Sequence, residues 1–181
     1  AAALAKNPGS SIPVACEDDS ARIEGFYKLI RNEEVDPEEV RRAAFDATAL
    51  EIKEVKGDIL LIHDTTSVSP VHSLREELRT KPGSPAGYEV HTGLAVQAET
   101  GVPIGILGQL IWSRRVKKSE KLFGVESEKW QRLDEQVQER EVDQTLLIRV
   151  ADRESDYFEY VDFLDQVGRR FILRAAQNRR I

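Results

Sequence analysis

The chain has 181 residues, 40% of them hydrophobic and 32% charged, with a net charge of −6. That composition fits one soluble domain with at most a small appendage, and the acidic balance excludes a uniformly basic nucleic-acid-binding surface. No apolar run is long enough to span a bilayer, no signal-peptide pattern opens the sequence, and the lone Cys16 excludes an internal disulfide, so a cytoplasmic setting is expected.

Residues 1–57 read as a helical region. Ile23, Phe26, Tyr27 and Ile30 recur at helical spacing. Asp36-Pro37-Glu38-Glu39 combines a cap, a proline in the first turn and a capping-box glutamate, and Val40, Ala43, Ala44, Ala47 and Leu50 are expected to form the apolar stripe of the helix that follows, which Gly57 stops. Residues 58–181 read as an α/β unit. An apolar strand runs to His63, with a short helical turn expected over Ser73–Leu78 and a loop over Lys81–Gly87. Tyr88–Ala98 and Val102–Trp112 flank the turn Glu99-Thr100-Gly101 and should form an antiparallel hairpin. A basic loop with Arg114, Arg115, Lys117 and Lys118 follows. Next come a helix over about 126–139 with Trp130, Leu133 and Val137 on one side, a strand over Thr145–Val150, a helix over Asp156–Val167 with Tyr157, Val161 and Leu164 inward, and a strand over Arg170–Ala175. The order implies a mixed sheet with helices packed against it.

Two strings carry the chemistry. Leu60-Leu61-Ile62 leads into His63-Asp64-Thr65-Thr66, and Leu146-Leu147-Ile148 leads into Asp152-Arg153-Glu154. Each places a carboxylate just past a buried strand, on rigid scaffolding at the crevice where α/β sheets bind ligands. Two such carboxylates can share divalent cations, and hard oxygen ligands select Mg²⁺ or Mn²⁺, the ions of in-line phosphoryl transfer. The structural alternatives are a turn closed by Asp64 and a helix cap supplied by Asp152. Glu154 and Asp156 read as capping residues. His91 reads either as a phosphate contact or as a hydrogen-bonded strand histidine, while His63 points to the other side of its strand from Asp64. Arg114, Arg115, Lys117 and Lys118, then Arg153 and Arg174, are the candidates for contact with a DNA backbone, which would give salt-dependent affinity without sequence readout.

Taken together and in order, Tyr27-Lys28-Leu29-Ile30-Arg31-Asn32, His63-Asp64-Thr65-Thr66-Ser67, Tyr88-Glu89-Val90-His91 with its hairpin and Trp112, Glu128-Lys129-Trp130, and Asp152-Arg153-Glu154-Ser155-Asp156 resemble landmarks of the DDE transposases. The closer match is to the bacterial insertion-sequence-four group that includes the transposon-five enzyme. The resemblance implies an RNase H-like catalytic domain, with Asp64 and Asp152 as the first two members of a metal-binding triad and a two-metal Mg²⁺ or Mn²⁺ site in the intact protein. It implies cut-and-paste DNA transposition by phosphodiester hydrolysis and strand transfer, double-stranded transposon ends as partner, a homodimer, and a bacterial, nucleoid-associated location. The third member, a glutamate on a downstream helix, is expected beyond Ile181, so the sequence reads as a fragment with an incomplete active site and little activity alone. The alternatives are an inactive fragment that binds DNA or a full-length transposase, and an unrelated metal-dependent phosphohydrolase that uses the same two aspartates.

Overall fold

Asp36, Asp58 and the glycines at 57, 101 and 168 punctuate the chain where the helices and strands of a computed structural model begin and end. The structure describes residues 10–69, 87–113, 126–176 and 178. Two compact units divide at Ala43/Ala44. The expected helical turn at Ser73–Leu78, the loop over 81–86, and Arg114, Arg115, Lys117 and Lys118 lie outside the described residues.

In the first unit, α1 (Ile12–Ala15) leads to α2 (Ser20–Ile30), whose first turn is capped by Asp19 accepting from the backbone N–H groups of Ala21 and Arg22. Cys16 is buried and free. The next helix, α3 (Pro37–Glu54), starts as expected, with Asp36 accepting from the Glu38 N–H at 2.8 Å. Its expected apolar stripe is on the wrong face. Val40 and Leu50 are exposed, as are Ala43, Ala44 and Ala47, and the buried side chains are Phe45, Thr48, Ala49 and Ile52. Both stripes have helical spacing. The one carrying the large side chains wins because buried apolar area, not residue count, sets the stabilisation. Ala49 and Ile52 belong to the core of the second unit, which explains why that unit begins at Ala44 within the helix instead of at Gly57.

The second unit is α/β: a five-stranded mixed sheet in the order β3-β2-β1-β4-β5, flanked by helices and preceded by the helical region, consistent with an RNase H-like fold. Its strands are β1 (Ile59–Val68), β2 (Tyr88–Gln97), β3 (Pro103–Ser113), β4 (Leu147–Ala151) and β5 (Arg170–Leu173). The hairpin β2–β3 and the pair β1–β2 are antiparallel, whereas β1–β4 and β4–β5 are parallel. A single-turn 3₁₀ segment (Glu126–Glu128) leads into α4 (Lys129–Gln138), and a second (Arg153–Ser155) precedes α5 (Phe158–Gln166). In α5 Leu164 is buried as expected and Val161 half-buried, but Tyr157 precedes the helix and is exposed, and Tyr160 is the second buried side chain.

One sheet face carries the core. Ile59 and Leu61 of β1, Ala95 of β2, Leu107 of β3 and Leu147 of β4 pack with Ile52 of α3 and Val137 of α4, while Trp130, Tyr160 and Leu164 pack over Ala151. Glycines let the helices come close. A Cβ at Gly105 would stand 3.1 Å from Thr48 Cγ2, with the Thr48 hydroxyl nearer still and held by its own bond to the Ala44 carbonyl. Gly105→Ala is therefore expected to cost about 1–3 kcal/mol by overpacking, seen as a lower urea midpoint with an unchanged slope.

Candidate active site

β1 and β4 run parallel from Ile59↔Leu147 to His63↔Ala151, and there the ladder ends. Asp64, still within β1, and Asp152, the first residue past β4, come next. Strand alternation turns both away from the helix-covered face that holds His63 and Ala151, and both are exposed. The apolar run alone predicts that β1 ends at His63. Instead β1 continues through Thr65, Thr66 and Val68 to pair with β2 as far as Val68↔Tyr88, because β-branched residues with an antiparallel partner extend a strand past its apolar run. Asp64 thus sits inside β1, opposite Thr92, at the point where β4 leaves.

Asp152 has extended backbone and caps the 3₁₀ turn after β4, its Oδ1 accepting from the Glu154 N–H at 3.0 Å. Capping and a site role coexist here, since one oxygen suffices for the cap. Asp64 Oδ2 accepts a long, 3.4 Å bond from Thr66 Oγ1. Among the described residues no basic side chain pairs with either carboxylate, and none of them belongs to a group of three or more potential metal ligands. Two water-exposed carboxylates on neighbouring rigid strands are nevertheless a donor set that suits Mg²⁺, which is commonly held by one or two carboxylates together with waters and substrate phosphates.

Behind the carboxylates lies an aromatic cluster. His63 and His91 are buried, their ring centroids 5.6 Å apart; His63 stacks on Trp130 at 6.0 Å, and His91 meets the same ring edge-on at 4.4 Å. His91 Nδ1 shares a 2.9 Å hydrogen bond with Thr65 Oγ1. Burial holds both rings neutral. Desolvation, only partly offset by the Asp134 charge, brings the His63 pKa down to about 4, and desolvation pushes His91 lower, helped by His63 and Lys129. His91 therefore does not stand on a surface that a DNA backbone reaches, which removes it from the candidate contacts and leaves the strand-histidine alternative. Arg153 and Arg174 are both exposed, Arg153 next to Asp152 and Arg174 just past β5, its N–H donating to the Ala151 carbonyl at 3.1 Å.

Lys129 was not singled out from the sequence. A lysine in the first turn of a helix opposes the helix dipole, and that misplacement was the available signal. Its side chain is 7% exposed, its ammonium is 3.4 Å from Glu154 Oε2 and 5.2 Å from the Trp130 ring centroid. It lines a cleft of about 430 Å³ with Thr65, Ser67, Glu89, Glu154 and Tyr157. The Lys129–Glu154 pair ties α4 to the same turn that Asp152 caps.

No protein-family model matches the chain.

Proposed function

We propose that this chain carries the catalytic core of a DDE-type DNA transposase of the insertion-sequence-four and transposon-five kind. The observation that carries the reading is the register: two parallel strands bring Asp64 and Asp152, 88 residues apart in sequence, to adjacent positions on one exposed sheet face. The order of the sequence landmarks supports the same reading. Mg²⁺ or Mn²⁺ held by Asp64 and Asp152 would supply activation of the attacking oxygen and stabilisation of the leaving one. The protein's own part is positioning. Strand backbones fix both carboxylates, the Glu154 N–H orients Asp152, and Arg153 and Arg174 offer positive charge to neighbouring phosphates of double-stranded DNA. A homodimer acting at the bacterial nucleoid belongs to the same proposal.

A second reading is that the chain binds DNA or a transposase without cleaving. It is favoured by the two-carboxylate donor set, with no third metal ligand grouped with it among the described residues.

Calorimetric titration with Mn²⁺ tests the site. Binding is expected in the parent and is expected to fall at least ten-fold in both Asp64→Ala and Asp152→Ala. Binding that survives both substitutions overturns the shared site. If binding is lost in both and the parent also nicks duplex DNA in Mn²⁺, the first reading holds, and metal binding without nicking favours the second.

A further inference from the structure

Among the described residues, the sheet face turned away from α4 and α5 carries a line of polar side chains that no sequence pattern reveals. Read across the five strands at the level of the carboxylates, the face presents Gln109, Thr92, Asp64, Asp152 and Arg174. Gln109 pairs with Thr92 and Thr92 with Asp64 in the antiparallel register. Asp64 and Asp152 follow the last parallel pair of β1 and β4, and Arg174 follows Leu173, the partner of Ala151. One step back along the strands the same face is apolar at every position, with Ile106, Leu94, Ile62, Val150 and Ile172 in register. On the other side of the line stand Ile111, Val90 and Thr66, the last donating its hydroxyl to Asp64. A band of polar groups bordered by apolar positions is costly to cover with an apolar partner, which would strip water from two carboxylates, an amide and a guanidinium. Such a line suits a ligand that is itself polar, narrow and elongated.

We infer that Thr92 and Gln109 on one side of the carboxylates, and Arg174 on the other, form a track that seats the backbone of one DNA strand across the sheet, with the reacting phosphate over Asp64 and Asp152. The inference rests on the function proposed above and adds to it the direction of the DNA and two residues, Thr92 and Gln109, that no sequence motif marks. Four strand spacings of about 4.8 Å make the track ~19 Å long, enough for several successive phosphates at the ~3.4 Å axial rise of one strand. The two arms differ in chemistry. Gln109 Nε2 donates to Thr92 Oγ1 at 3.0 Å, and the Gln109 main-chain N–H donates to Gln136 Oε1 at 2.7 Å, which fixes the strand against α4. The Thr92 hydroxyl proton and the second amide N–H of Gln109 remain to be donated to phosphate oxygens. Arg174 supplies a full charge. The neutral arm should thus add affinity that salt does not screen, and the Arg174 arm affinity that it does.

The test is fluorescence anisotropy of a fluorescein-labelled duplex oligonucleotide in Mn²⁺, over a series of salt concentrations. The double variant Thr92→Val/Gln109→Leu, conservative in volume, is expected to bind about ten-fold more weakly with an unchanged salt slope. Arg174→Gln is expected to bind more weakly with the slope reduced by about 0.9. Unfolding midpoints in urea identify any variant that has lost its fold, and Thr92→Ser, which keeps the hydroxyl, should retain parental affinity. Parental binding by the double variant, or absence of DNA binding by the parent, overturns the track. The Mn²⁺ titration reports on the carboxylates and the anisotropy on the arms, so the track can fail while the metal site stands. Mn²⁺ binding that ignores Asp64 and Asp152 instead removes the reading on which the track depends.

Discussion

Asp134→Ala is expected to be the most destabilising single substitution in the sheet unit, at about 3–5 kcal/mol. Asp134 lies on α4 with no exposed surface, and Arg149, in the middle of β4, has none either. Arg149 Nε donates to Asp134 Oδ1 at 2.6 Å, and Arg169 Nε reaches Asp134 Oδ2 at 3.3 Å. The rest of the Arg149 guanidinium donates to the Leu147 carbonyl and to Gln144. One carboxylate therefore bridges two guanidinium groups, offsetting one of their two positive charges, and joins α4, β4 and the turn before β5. Without it Arg149 keeps its charge in a dry core, since a guanidinium does not deprotonate at accessible pH. Urea denaturation reads the loss directly. The partner experiment is Asp134→Leu with Arg149→Met, which removes both charges. An apolar pair in that space should recover most of the stability, and the same loss in the double variant as in the single one would show that the charge pair is not the source of the effect.

Stability should also fall as the pH is lowered from 7 to 5, in a range where most carboxylates keep their charge. His63 titrates near its ordinary 6.5 when unfolded but at about 4 in the fold, and burial depresses His91 as well. The unfolded chain thus binds protons that the native one refuses. The stability contributed by these neutral rings is complete above about pH 6.5 and is lost as the pH falls toward the folded value. For a shift of this size the loss between pH 7 and 5 is about 2 kcal/mol per histidine. The charged groups near the pair, Asp134, Arg149 and Lys129, act in opposite directions and leave desolvation dominant. The check is urea midpoints at pH 7 and 5 for the parent and for His63→Gln. The variant should be less stable at pH 7 and visibly flatter with pH, and an equal pH slope in both proteins would refute the assignment to His63.

Much of this fold is legible in local sequence, and the remainder fails for identifiable reasons. The apolar runs before Asp64 and Asp152 do form neighbouring strands, and Gly101 closes the hairpin because its φ of 70° suits the turn. Trp130, Leu133 and Val137 all face inward. What local pattern could not supply is pairing at a distance. Arg149 stands in a strand that reads as simply hydrophobic, and only the buried Asp134 on the preceding helix makes it tolerable there. The stripe of α3 misleads because alanines at helical spacing look as apolar as Phe45 and Ile52 while burying far less area. The continuation of β1 past His63 depends on β2, whose sequence lies more than 20 residues downstream. At the candidate site, both carboxylates stand out in sequence because each follows an apolar run, although Asp64 lies inside β1, whereas Thr92 and Gln109 are unremarkable until register places Thr92 beside Asp64 and Gln109 beside Thr92.

The shortness of β4 has a consequence for how the protein behaves in concentrated solution. Among the described residues β1 is paired on both sides only as far as His63, and from Asp64 to Val68 it pairs with β2 alone. Halfway along its length a central strand becomes an edge, with backbone donors and acceptors turned toward whatever strand approaches. Exposed edges invite pairing between chains, and a charge planted on them is a common safeguard. Asp64 stands where this edge begins. Its alanine variant would lose the proposed metal ligand and also a barrier to self-association, so that precipitation would mimic loss of function. Lysine at the same position keeps the edge charged while refusing a cation, and it separates the two roles.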